Sequence, residues 1–209
     1  MDSTIIENEC IDELAVVAGV GKHVSAITEA AMRGEIDFDS ALRERVALLE
    51  GLSEDVLQTV FDAQIKLTPG ARSLVRTMQA NGAKAVLVSG GFTFFTNRVA
   101  KAAGFDENRA NTLEIKDGKL TGRVGEPILG ANAKLESLKE LIADMRIEAN
   151  DVLAVGDGAN DIPMLKEAGL GVAFCAKPTT AEAANVAIHG RDLRTLLYLQ
   201  GYTAAEIID

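Results

Sequence analysis

Asp157 and Asp161 stand four residues apart in Val155-Gly156-Asp157-Gly158-Ala159-Asn160-Asp161, directly after the apolar run Val152-Leu153-Ala154-Val155. The stretch reads as a buried strand ending in a Gly-Asp-Gly turn. Two acids and an amide this close repel one another unless a cation offsets them. Carboxylate oxygens suit a small hard ion. A plainer reading also stands, in which Asp161 caps a helix beginning at Ile162-Pro163. Met1-Asp2-Ser3-Thr4 offers another acid of the same kind from a distant part of the sequence, and Lys134 lies between the two. These residue types point to metal-assisted chemistry on a phosphate.

A third stretch, Ser89-Gly90-Gly91, follows the apolar Ala85-Val86-Leu87-Val88 and reads as the opening of the next helix. Glycines let a backbone approach an anion, and a helix start offers free N–H groups. Alone, the stretch reads equally as an ordinary strand-to-helix turn. Lys134, near the start of a helix, can hold a phosphate as a point charge. By itself it also reads as a solvated surface lysine.

These residues need elements to position them. Residues 10–65 show helical spacing, interrupted at Gly19-Val20-Gly21, Gly34 and Gly51. Asp39 is the expected cap of a helix over 40–50, and Ser53 of one over 54–64. Four helices with short turns make a small bundle. From residue 67 helices and strands alternate. The pattern predicts helices over 71–80, 92–102, 134–146, 162–168 and 179–184, and one starting at 193. It predicts strands over 84–88, 152–155, 171–174 and 185–188. Asp117-Gly118, between 111–115 and 119–124, is a hairpin signal. The expected class is α/β: a Rossmann-like parallel sheet with helices on both faces, an inserted four-helix-bundle cap and a small β-hairpin flap. The expected division is a core of 1–9 and 66–209 with a cap of 10–65; a single mixed fold without a separate cap stays open. In open α/β sheets the ligand crevice lies beyond the carboxyl ends of the strands, so the three stretches can converge there.

The chain has 209 residues and a formal net charge of −10. That balance argues against a nucleic-acid surface, which needs clustered Lys and Arg. A phosphate site must then be positive locally, through a metal, a lysine or a helix start. No apolar run approaches the roughly 18 residues that span a bilayer, and no secretory pattern is visible, so a cytoplasmic location is expected. Cys10 and Cys175 are too few for a disulfide framework and read as packed, reduced thiols. His23 and His189 read as solvent-exposed.

Asp2-Ser3-Thr4, Ser89-Gly90-Gly91, Lys134 and the 156–161 stretch together resemble, in order and spacing, the four motifs of the haloacid-dehalogenase-like phosphatases. Within that family the resemblance extends to the phosphoserine phosphatases. It is carried there by 7–15 (Glu-Asn-Glu-Cys-Ile-Asp-Glu-Leu-Ala), by Phe38 and Arg45, and by Val88-Ser89-Gly90-Gly91-Phe92. The resemblance implies hydrolysis of O-phosphoserine through an aspartyl-phosphate intermediate, in the last step of serine formation, with Mg²⁺ and Lys134 balancing charge. On this mapping Asp2 is the acid/base and its backbone carbonyl a metal ligand. Asp157 is a metal ligand, and Asp161 supports the metal's water shell. Ser89, Gly90 and Lys134 hold the phosphoryl group, and Asn160 contacts substrate. Glu9 reads the serine ammonium and Arg45 its carboxylate, with Phe38 sealing the site. Read from residue type alone, Glu9 and Arg45 are solvated helix charges.

The family's first motif is Asp-x-Asp-x-Thr, whose first Asp attacks the phosphate. Here Met1 occupies the x position and Asp2 the second Asp. The expectation is that the natural protein continues upstream of Met1, through an apolar strand ending in that Asp in the middle of the sheet. The other readings left open are an inactive metal- and phosphate-binding module and a phosphatase for another small phosphomonoester.

Overall fold

The computed structural model describes residues 1–209 apart from Arg33, Gly34 and Ala131. The first half is helical: α1 (Cys10–Val17), α2 (Gly21–Met32), α3 (Phe38–Ala47), α4 (Asp55–Gln64) and α5 (Ala71–Ala80). The helix stop expected at Gly34 lies outside the described residues. The α3 cap is Asp37 rather than Asp39. The Asp37 carboxylate accepts from the Ser40 amide at 2.9 Å and the Ser40 hydroxyl at 2.7 Å, and Asp39 lies within the helix's first turn. An acid two residues earlier reaches the free amides better, because they point back along the axis.

The second half alternates: β1 (Val86–Phe92), α6 (Thr93–Ala103), β2 (Glu107–Asn111), β3 (Leu113–Lys116), β4 (Lys119–Val124), α7 (Ala133–Met145), β5 (Leu153–Gly156), α8 (Ile162–Glu167), β6 (Leu170–Phe174), α9 (Pro178–Ala183), β7 (Val186–Ile188) and α10 (Thr195–Leu199). Strands β5, β6 and β7 form one parallel ladder and β1 and β2 another. Among the described residues no backbone ladder joins β1 to β5. The hairpin β3–β4 is antiparallel about Asp117-Gly118, with both turn residues at positive φ.

Two details differ from the sequence expectation. Strand β2 was not expected, because Glu107-Asn108-Arg109-Ala110-Asn111 shows no apolar alternation. Its side chains pair instead: Arg109 bonds Glu107 at 2.7 Å and Glu140 at 2.6 Å. Strand β1 runs on through Ser89-Gly90-Gly91 to Phe92, so this stretch is an irregular strand end rather than a turn opening the helix. Val88 is in register with Arg109 and Phe92 with Asn111, so residues 89–91 face Ala110 alone. The surplus bulges out of the ladder.

Buried side chains form a continuous apolar cluster across both halves. Leu14, Leu42, Leu49 and Leu57 of the helical block join Phe92, Phe95, Leu120, Phe174 and Leu196. The hairpin is stitched to the segment between α3 and α4. The Gly51 amide donates to Leu120 at 2.9 Å, Leu120 to Leu52 at 2.9 Å, and Glu54 to Gly118 at 2.9 Å. Cys10 is buried and Cys175, at the end of β6, is half-buried; both are free thiols. His23 and His189 are exposed. No described helix is long and apolar enough to cross a membrane.

Candidate active site

The carboxyl ends of β1 and β5 and the tight turn at the start of the chain meet in one cavity of about 160 Å³. Its lining holds Asp2, Glu9, Phe38, Arg45, Ser89, Gly90, Lys134, Asp157, Asn160 and Asp161, which brings together every site residue singled out in the sequence. A larger cleft of about 500 Å³ lies between the end of α4 and α5; no carboxylate lines it.

The turn is built on the Met1 carbonyl, which accepts from the amides of Thr4 (3.3 Å), Ile5 (2.8 Å) and Ile6 (3.1 Å). Buried Met1, Ile5 and Ile6 anchor it in the core. The turn aims Asp2 at the start of α1, where one carboxylate oxygen accepts from the Cys10 amide at 3.1 Å. A helix start favours such a charge. The other oxygen lies 3.5 Å from the Ser89 hydroxyl. Ser89 is buried, and its oxygen accepts from the Gly91 amide at 3.0 Å, which closes the bulge on itself. A Cβ at Gly90 would lie 2.8 Å from the ring of Phe38, which α3 lowers onto it, so any larger residue would push the ring aside.

At the tip of β5, Asp161 turns back under the strand. One oxygen accepts from the amides of Asp157 and Gly158, both at 3.0 Å, and the other from the Lys134 ammonium. A Cβ at Gly156 would lie 2.4 Å from the Asp161 carboxyl carbon, so only glycine permits the fold-back. Burial opposes the Asp161 charge, yet the charge and hydrogen bond of Lys134 and the Gly158 amide hold its carboxyl below the ordinary range. Asp157 goes the other way. Burial raises its pKa, a 2.6 Å bond from Thr4 works against that, and neighbouring Asp161 raises it further.

On the helical side, Glu9 accepts from the Ser3 hydroxyl at 2.5 Å. The residue keeps an exposed face, but its carboxyl looks into the cavity. Burial, then Asp2, raise its pKa to about 7. Arg45 hangs from α3, donating to the Ala41 carbonyl at 3.1 Å and to the Thr28 hydroxyl at 3.4 Å. Burial lowers its pKa, countered by the charges of Asp12 and Glu9.

The carboxylates of Asp2, Glu9, Asp157 and Asp161 thus share one small space, and the lone lysine there is committed to Asp161. Burial first, and neighbouring acids after it, raise the pKa values of Asp157 and Glu9, and the donors are hard oxygens; a divalent cation fits this crowding of carboxylates. Among the described residues no three His, Cys, Asp or Glu side chains are gathered into a ready-made metal cage. The hard-oxygen donors of the cavity suit Mg²⁺, which takes one or two carboxylates and completes its shell with water and substrate phosphate. Asp161, whose oxygens are engaged by Lys134 and two amides, orients this corner rather than offering a free ligand oxygen.

Asn111 escaped the sequence reading. It is 2% exposed at the end of β2 and bonds both Gly90 and Leu129. No local pattern marks it, since its strand itself has no periodic signal.

The sequence profile of the haloacid dehalogenase-like hydrolases matches residues 1–166. The phosphoserine phosphatase of Albidiferax ferrireducens is 49% identical over 204 residues, covering 95% of this chain and 86% of that one. A structure of a phospho-aspartyl intermediate analogue of phosphoserine phosphatase superposes with a TM-score of 0.89 at 43% identity, covering 95% of each chain. A substrate-bound phosphoserine phosphatase complex gives the same TM-score and identity over 95% of this chain and 94% of that one. The chain belongs to the haloacid dehalogenase-like hydrolases.

Proposed function

We propose that this hydrolase is a Mg²⁺-dependent phosphoserine phosphatase, releasing serine and inorganic phosphate from O-phosphoserine. One observation carries the reading. A single cavity has a phosphate-type pole, Ser89, Gly90 and Lys134, and an amino-acid-type pole, Glu9 and Arg45. A carboxylate beside a guanidinium is the complement of an α-ammonium beside an α-carboxylate.

In this reading Ser89 and Gly90 hold the phosphoryl oxygens, and Lys134 adds a fixed positive charge. Asn160 contacts the substrate beside them. Asp157 and the Asp2 main-chain carbonyl would hold Mg²⁺, with Asp161 supporting its water shell. The ion, when bound, offsets the charge that builds up on the phosphoryl oxygens. The Asp2 carboxylate, aimed by the Cys10 amide, delivers a proton to the departing serine oxygen and later takes one from the incoming water. Phe38, pressed on Gly90, excludes bulk water and so strengthens the charge interactions inside. These residues account for binding, charge balance and proton transfer; the attack on phosphorus is assigned to none of them.

The test is phosphate release by the whole natural polypeptide from O-phosphoserine and from sugar phosphates. Selective, chelator-sensitive release from O-phosphoserine is expected. Equal turnover of a sugar phosphate, or turnover that survives removal of Mg²⁺, overturns the reading.

A further inference from the structure

We infer that Asn111 is a positioning residue that sets the phosphate-binding bulge and the approach to Lys134 in a single geometry. The inference rests on the phosphate-site reading of residues 89–91 and Lys134. Its physical basis is the interrupted ladder. Between the Val88–Arg109 and Phe92–Asn111 pairs, three residues of β1 face one residue of β2. The backbone of the bulge therefore lacks its ordinary strand partner, and an unmatched buried carbonyl is costly.

The Asn111 side chain takes the partner's place. Its amide nitrogen donates to the Gly90 carbonyl at 2.9 Å and to the Leu129 carbonyl at 3.4 Å. Its amide oxygen accepts from the Leu129 amide at 2.7 Å. The side chain is thus used from both ends, on two segments eighteen or more residues away from it. Leu129 lies five residues before Lys134, on the segment that leads into α7. One buried amide therefore ties the bulge to the segment that delivers the lysine. Pinning the Gly90 carbonyl also fixes the peptide plane it shares with the Gly91 amide, and that amide bonds Ser89 at 3.0 Å. Asn111 itself touches no substrate; it acts through Gly90 and Leu129.

Asn111→Asp keeps the acceptor for Leu129 and removes both donors. Asn111→Ser is a small neutral variant in case the buried charge prevents folding. Asn108→Ala is the control. Asn108 sits on the same strand but accepts from Thr96 on α6 at 2.7 Å, away from the bulge. The measurements are calorimetric titration of the whole protein with inorganic phosphate in the presence of Mg²⁺, and amide hydrogen exchange.

Each Asn111 variant is expected to bind phosphate more weakly, on the order of tenfold. Exchange should quicken together at 89–92 and 128–134 but not in the hairpin 113–124, and Asn108→Ala should do neither. Phosphate affinity within about twofold of the unmodified protein in a folded Asn111 variant overturns the inference. So does faster exchange confined to one of the two segments. Should the unmodified protein take up no phosphate at all, the phosphatase reading falls, while the exchange pattern still decides the role of Asn111.

Discussion

At the core end of the cavity the Asp161 side chain is 3% exposed, and both its oxygens are bonded, to Lys134 and to two backbone amides. At the helical end Arg45 is held by one carbonyl on its own helix and by a 3.4 Å contact to Thr28. Glu9, its neighbour, accepts one bond, from Ser3, and burial followed by the charge of Asp2 raises its pKa to about 7. The first end is buried and fully bonded; the second is held by fewer contacts, Glu9 by Ser3 and Arg45 by Ala41 and Thr28. Fixed dipoles aimed at a phosphate cost no rearrangement when the substrate arrives. A side chain still free to settle loses conformational freedom on binding. The cavity thus combines a rigid seat for the group common to all phosphomonoesters with an adjustable grip for the group that distinguishes one from another.

Four measurements break or sharpen that contrast. Lys134→Met strikes the rigid end and leaves Asp161 buried without its partner. Unfolding free energy in urea should fall by about 3 kcal/mol, and phosphate and O-phosphoserine binding should both be lost. Arg45→Ala strikes the adjustable end. O-phosphoserine should bind roughly 10- to 100-fold more weakly in calorimetry, with inorganic phosphate unaffected. If both ligands weaken alike, the two ends are not separate.

Asp37→Ala tests the support of the adjustable end, since α3 carries both Phe38 and Arg45 and Asp37 bonds its first turn. Loss of such a cap should cost about 1 kcal/mol, or roughly 2–4 °C in thermal melting. Glu9→Gln tests the smallest effect, one of pH. The Glu9 pKa is raised on folding from 4.5 to about 7. The fold therefore favours the protonated form. The resulting stability is present below pH 4.5 and is lost as pH rises through about 7. In metal-free buffer the unmodified protein should lose ground to Glu9→Gln across that window. Parallel stability profiles for the two proteins would show that Glu9 feels no such field.

The sequence made some of this legible and hid the rest for physical reasons. The β5 tip was readable because an apolar run stops abruptly at Gly156-Asp157-Gly158, and only a few backbone shapes follow such a stop. The hairpin was readable from Asp117-Gly118. Strand β2 was not, because its five residues are held by side-chain ion pairs and a neighbouring ladder rather than by alternation. The glycines at 90 and 91 read as a turn, since nothing in the sequence shows that Asn111 props the strand open there. Asp39 read as the α3 cap, but Asp37 is an acid beside the same helix start, and which one reaches the free amides is a matter of backbone angle. That ten residues spread from Asp2 to Asp161 line one cavity follows from the topology, not from any one motif.

The backbone stitch between 51–54 and the hairpin turns two neighbours into a single mechanical plate. Phe38 on α3 is thus held over Gly90 by a block that joins the rest of the chain at four crossings rather than two, near 6–9, 65–68, 111–113 and 124–126.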